Sequence, residues 1–75
     1  MSLTKIQTEV ADLICAGLLH KEIADQLQVG KKTIDKRIMS LYAKTDTHCV
    51  GQLFWWMLRN KAGNTYEKAK AVING

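Results

Sequence analysis

Five basic side chains lie close together in the middle of this sequence and could bind a polyanion. They are Lys31, Lys32, Lys36, Arg37 and Lys44. Only Asp35 opposes them within residues 30–44, so this segment carries a net charge of +4, whereas residues 1–29, with two lysines against four acidic residues, carry −2. Lysine and arginine neutralise phosphates, and both can donate hydrogen bonds to guanine O6 and N7. The charge distribution therefore favours a nucleic acid as partner, the alternative being a lysine-rich face that is simply solvated.

The elements that must position these cations are predicted to be helices. The 75 residues include no proline, and apolar residues recur at helical spacing. The pattern predicts helices over residues 5–16, 20–28, 31–43, 48–60 and 66–73. Thr4 and Gln7 fit a capping box at the start of the first helix, which buries a stripe that includes Ile6 and Val10, and Gly17 is expected to end it.

The last predicted helix is short and amphipathic. Thr65 is placed to cap its first turn. Helical spacing then predicts that Tyr66, Ala69, Val72 and Ile73 point inward. The chain is accordingly expected to be a single all-α domain over residues 1–75, with this helix as its final element.

Residues 20–43 read as two helices joined by the short turn Gln28-Val29-Gly30. A helix, a short glycine-containing turn and a second helix make up the helix-turn-helix motif, whose second helix enters the major groove of DNA. Ala24 is small where the two helices would cross, and Val29 and Ile34 would fill the angle between them. A plain three-helix bundle would explain the same periodicity, so the pattern alone leaves DNA binding open.

The residues of this region resemble the LuxR-type helix-turn-helix domain, also called the GerE or NarL/FixJ effector domain. Residues 16–27 read AGLLHKEIADQL and are followed at family spacing by Lys32-Thr33-Ile34, within a match over about residues 3–54. The resemblance implies a four-helix domain, here with an additional short C-terminal helix over about residues 65–73. It also implies a sequence-specific transcription regulator that binds double-stranded DNA, and that dimerises through the helix at about residues 48–60.

The resemblance also assigns DNA contacts to individual residues. Asp35, Lys36 and Met39 would lie on the base-reading side of the recognition helix. Phosphate contacts would come from Lys21, Lys31, Lys32, Thr33, Arg37 and Lys44. Asp35 departs from the family, which usually has lysine there; its carboxylate could accept a hydrogen bond from cytosine, or could instead form a cap or an ion pair with a neighbouring lysine.

The fourth predicted helix is apolar nearly all round, so it must be covered on two sides. Val50, Leu53 and Met57 mark the side that faces the core. The resemblance places a homodimer contact on the other side, with Phe54, Trp55, Trp56 and Arg59 in the interface, and an inverted-repeat DNA site would match that symmetry. The alternative is that the last helix folds back and covers both tryptophans within one chain.

Other functional classes receive little support. Cys15, His20, His48 and Cys49 lack the spacing of a metal site, and we expect a packed Cys15 thiol, no disulfide and solvent-facing histidines. No catalytic constellation, cofactor, small-molecule ligand or membrane span is expected, and the compartment is expected to be the cytoplasm. The chain is expected to act as a stand-alone effector domain, with another transcription regulator or RNA polymerase as a further partner. The competing hypothesis is a protein-interaction module, such as an anti-activator, that uses this fold to pair with another regulator.

Overall fold

The predicted all-α architecture is confirmed. The structure, a computed structural model, describes residues 2–74. These form five α-helices: α1 (Lys5–Cys15), α2 (His20–Leu27), α3 (Lys31–Thr45), α4 (Val50–Arg59) and α5 (Gly63–Asn74). Helix α3 packs against α1, α2 and α4, whereas α5 packs against α1 and α4. None of the helices in this described range has the length and apolar character that a membrane span requires.

Helix α1 begins with the predicted capping box. The Gln7 N–H donates to Thr4 Oγ1 at 3.1 Å, and the Thr4 N–H donates to Gln7 Oε1 at 2.9 Å. The helix ends at Cys15, and Gly17 follows with a φ of +96°, which glycine adopts at little cost. The expectation for Ile6 was wrong, because that side chain is 55% exposed. Val10, Ala11 and Ile14 are the buried residues of α1, and their common direction lies about 90° around the helix from Ile6.

The turn between α2 and α3 fixes the angle between the two helices. Gln28 is left-handed, with a φ of 57°, and the Val29 N–H donates to the Ala24 carbonyl at 3.0 Å. Gly30 then accepts from the Thr33 N–H at 3.1 Å as α3 begins. Ala24 and Ile34 are buried where the helices meet, as predicted. The core comprises Val10, Ala11, Ile14, Ile23, Ala24, Ile34, Ile38, Leu41, Leu53 and Met57.

Helix α3 is longer than predicted. It continues through Thr45, two residues beyond the predicted end at residue 43, and the buried Thr45 hydroxyl donates to the Leu41 carbonyl at 2.7 Å. A second contact of 2.8 Å joins it to the hydroxyl of Thr47, also buried. Asp46, with a φ of 55°, then ends the helix, and α4 begins at Val50 instead of residue 48.

Helix α5 differs most from its prediction. It begins at Gly63, so Thr65 is not its cap but a buried residue of its first turn. The cap comes from α1: Asp12 accepts hydrogen bonds from the N–H groups of Asn64 and Thr65 at 3.0 and 2.9 Å, and from the Thr65 hydroxyl at 2.8 Å. Of the four residues predicted to point inward, Tyr66 and Ala69 are half-buried, whereas Val72 and Ile73 are exposed, contrary to the prediction.

Candidate nucleic-acid interface

The outward face of α3 displays basic and apolar side chains opposite the core. Lys32, Lys36, Met39 and Ala43 fall within an arc of about 60° on the helix, on the side opposite Ile34, Ile38 and Leu41. All four are exposed, and Met39 is 70% exposed. Since α1, α2 and α4 hold the buried side of α3, this face is presented rigidly to solvent. It has the form of a helix that can enter a groove of DNA.

Further candidate phosphate ligands flank this face. Thr33 is exposed in the first turn of α3, and Lys21 is exposed on α2. Arg37 is half-buried and borders a groove of about 340 Å³ between α1 and α3, together with Thr4, Lys36 and Ser40. A phosphate lying along this edge would meet both a charge and neutral hydroxyl donors.

Lys44 is held by α1. Its Nζ donates to Gln7 Oε1 at 2.9 Å, and Gln7 already accepts the Thr4 N–H in the capping box. The lysine is half-buried, and its hydrogen bond joins the C-terminal part of α3 to the start of α1. Contact with a phosphate would require Lys44 to share or leave this hydrogen bond.

Asp35 lies at the junction of α2 and α3. Its Oδ1 is 2.7 Å from His20 Nδ1, and its Oδ2 accepts from Lys31 Nζ at 3.0 Å. The hydrogen bond from His20, and then that from Lys31, hold the pKa of the Asp35 carboxyl below its ordinary value. The ion pair with Lys31 matches the alternative that the sequence left open. His20 is half-buried rather than simply solvent-facing as expected, because its ring is turned towards this carboxylate.

The sequence also matches a known protein family. The family described as GerE, bacterial regulatory proteins of the luxR family, matches residues 1–56. The chain belongs to the LuxR family. The match covers α1 to α3 and most of α4, whereas α5 lies beyond it.

Two curated relatives of this LuxR-family chain are named as response regulators. The chain is 32% identical over 60 residues to response regulator Rre1 of Synechocystis, a match that covers 80% of this chain and 26% of that protein. It is 35% identical over 57 residues to the uncharacterized response regulatory protein YgeK of Escherichia coli, covering 76% of this chain and 39% of the relative. The chain thus spans well under half the length of these relatives. No solved structure matches it.

The predicted dimer residues of this LuxR-family domain separate into two environments. Trp55 is 62% exposed and meets Phe54 edge-on, with ring centroids 6.1 Å apart. Arg59 is also exposed. Trp56 is half-buried against the core and faces the start of the chain, near Leu3. Helix α5 therefore leaves Trp55 largely uncovered, and the two tryptophans do not form one continuous surface.

A groove of about 530 Å³ runs between α1, α4 and α5 beside Trp55. Its lining is mainly apolar and includes Leu13, Phe54, Leu58 and Ala69. The Cys15 thiol also borders it, and burial raises the pKa of that thiol to about 11. Both cysteines are free, and Cys49 is exposed. Within the described part of the chain, no three His, Cys, Asp or Glu side chains are grouped closely enough to hold a metal ion.

Two contacts of structural importance were not predicted from the sequence. Asp12 contacts α5 across 52 and 53 residues of sequence, and His20 meets Asp35 across 15. Neither contact follows from helical periodicity, since each depends on how two separate helices pack. No local signal marked Asp12, because its neighbours on the same side of α1 include the polar residues Thr8 and Glu9.

Proposed function

We propose that this chain is a sequence-specific, double-stranded DNA-binding transcription regulator. The observation that carries the proposal is the outward face of α3, where Lys32, Lys36 and Met39 are exposed on a helix braced by α2. The LuxR-family match over residues 1–56 supports the same function. The bacterial cytoplasm is the proposed compartment, since two free cysteines suit a reducing environment.

Different roles are proposed for the exposed and the internally bonded side chains. Lys36 and Met39 lie on the outward arc, one at each margin of it, and are assigned to base edges, Lys36 as a donor to guanine and Met39 through apolar contact. Phosphate contacts are assigned to Lys21, Lys32, Thr33 and Arg37. Lys31 and Lys44 are weaker phosphate candidates, because each already donates to a side chain of this chain.

We further propose that the regulator binds DNA as a homodimer through the outer face of α4, extended by exposed apolar residues of α5. Trp55, Val72 and Ile73 are 62%, 82% and 78% exposed. Together they present roughly 400 Å² of apolar side chain, about half of what one partner contributes to a standard interface. The groove beside them could receive side chains of a second copy, as a two-fold contact requires. Recognition helices about 34 Å apart would then meet an inverted repeat.

A selection of bound sequences from a random DNA library, followed by affinity measurements at several salt concentrations, tests DNA binding. Three charged phosphate ligands per chain, Lys21, Lys32 and Arg37, predict a slope of log affinity against log salt of about −2.7 per chain, or about −5.4 per dimer. Lys36→Ala should cost about 1–3 kcal/mol and change the preferred sequence at one base pair. Lys70→Ala on α5 is the control and should leave the sequence preference unchanged.

The dimer is tested separately by sedimentation of the free protein and of the protein with selected DNA. Trp55→Ala should shift the protein towards monomer, whereas a strictly monomeric wild type at all concentrations, with and without DNA, would remove the homodimer from the proposal. The exposed Trp55 surface also favours a second candidate function, a module that pairs with another regulator. Absence of salt-dependent DNA binding by the wild type would favour that candidate.

A further inference from the structure

The carboxylate of Asp35 bridges the two helices of the helix-turn-helix unit. His20 is the first residue of α2, and Asp35 lies in the second turn of α3. The carboxylate uses one oxygen for His20, at 2.7 Å, and the other for Lys31, at 3.0 Å. These distances are those of well-formed hydrogen bonds to a charged acceptor. The three side chains therefore form a clamp, the His20–Asp35–Lys31 clamp, across the junction of α2 and α3.

In the clamp, Asp35 lies to one side of the exposed face of α3. Asp35 lies about 70° around the helix from the centre of the arc formed by Lys32, Lys36, Met39 and Ala43, on the side of α2. Its side chain is 38% exposed. A cytosine amino group could bond to Asp35 only by sharing an oxygen that already has a partner.

The clamp also occupies Lys31. The Lys31 side chain is 60% exposed, so it could otherwise reach a phosphate, but its ammonium group is paired four residues along the same helix. A lysine that must first give up a carboxylate contributes less to phosphate binding than a free one. The net charge of +4 over residues 30–44 already subtracts Asp35, so with Lys31 paired the segment still offers four basic side chains to DNA: Lys32, Lys36, Arg37 and Lys44.

We propose that Asp35 is a positioning residue of the recognition helix and not a reader of bases. It sets the orientation of α3 on α2 through His20 and withholds Lys31 from the phosphate backbone, which leaves base reading to Lys36 and Met39. The inference rests on the proposed DNA-binding function.

The first test uses Asp35→Asn in DNA binding. Loss of the carboxylate releases Lys31, so the slope of log affinity against log salt should become steeper by about 0.9 per chain. Between 50 and 200 mM salt this adds a roughly threefold loss of affinity per chain. The double variant Asp35→Asn with Lys31→Ala should return the slope to the wild-type value. The base preference selected from a random library should be the same for wild type and Asp35→Asn, and Asp25→Asn on α2 is the matched charge control.

The second test needs no DNA. A double-mutant cycle of His20→Ala and Asp35→Ala on the unfolding equilibrium of the free protein should give a favourable coupling, because the two side chains contact each other. Additive effects of the two changes would overturn the positioning role. A changed base preference at one position in Asp35→Asn, with an unchanged salt slope, would also overturn it and make Asp35 a base reader. If the wild type fails to bind DNA, the proposed function fails, while the coupling still reports on the clamp.

Discussion

Replacement of Asp12 by alanine should loosen α5 and destabilise the whole domain. The Asp12 carboxylate accepts three hydrogen bonds from the first turn of α5, from Asn64 N–H, Thr65 N–H and the Thr65 hydroxyl, at 2.8 to 3.0 Å. The N–H groups of a first helical turn have no partner within the helix, so the carboxylate of α1 serves as the cap of α5. Its negative charge also lies at the positive end of the helix.

The expected loss of stability depends on which hydrogen-bond donors of α5 are left without a partner in Asp12→Ala. Loss of a helix cap costs about 1 kcal/mol, and a buried polar group left without a partner costs about 1–3 kcal/mol. Asn64 is exposed and can bond to water, but Thr65 is only 8% exposed and cannot do so freely. We therefore expect Asp12→Ala to lower the free energy of unfolding by about 2 kcal/mol, which in a domain of this size corresponds to about 8–16 °C in Tm.

The assay is thermal and urea unfolding followed by circular dichroism, together with amide hydrogen exchange of α5. Asp25→Ala is the matched control, since Asp25 is exposed on α2. Thr65→Val should show an intermediate loss, because it removes the hydroxyl donor and keeps the N–H bond. The reasoning is refuted if Asp12→Ala loses no more stability than Asp25→Ala and the exchange of α5 is unchanged.

Three further predictions concern other sites. Gly63→Ala should lower the free energy of unfolding, measured in urea, by at least about 2 kcal/mol, because a β-carbon there would lie 2.6 Å from Asp12 Oδ1 and the backbone φ is 59°. A loss below about 0.5 kcal/mol would contradict this. The difference in free energy of unfolding between wild type and Asp35→Asn should be fully present above pH 3.8, the ordinary pKa of the carboxyl. It should disappear as the pH falls through the lowered pKa of Asp35 in the folded state. Urea unfolding at a series of acid pH values measures this, and a pH-independent difference would exclude the ion pair as its cause. Iodoacetamide at pH 8 should label the exposed Cys49 well before Cys15, because burial raises the pKa of the Cys15 thiol to about 11. A mass-spectrometric time course measures both rates, and equal rates would show that Cys15 is not shielded.

Local features of the sequence predicted the part of the fold that depends on neighbouring residues. The Thr4–Gln7 capping box and the left-handed Gly17 involve residues a few positions apart, and both are present. The α2–α3 turn is also local, and it leaves Ala24 and Ile34 buried as expected. These features can be predicted from the sequence because their contacts join residues within one or two helical turns and do not depend on how the helices pack.

One source of error is a helix whose apolar residues point in more than one direction. Val72 and Ile73 have the spacing of a buried stripe, yet they are exposed. Trp55 and Trp56 are adjacent, yet only Trp55 is largely exposed. Periodicity predicts that a face is apolar, but it contains no information about which neighbour covers that face.

The sequence by itself determined an all-α chain with a basic third helix in the helix-turn-helix arrangement of the LuxR family. Those properties follow from composition, local spacing and a motif of adjacent residues. Only the tertiary structure decided which charges are engaged with one another: Asp35 with His20 and Lys31, Lys44 with Gln7, and Asp12 with the start of α5. The physical reason is that all but one of these hydrogen bonds join two helices, and a distance of 3 Å between separate helices depends on how they pack against a common core.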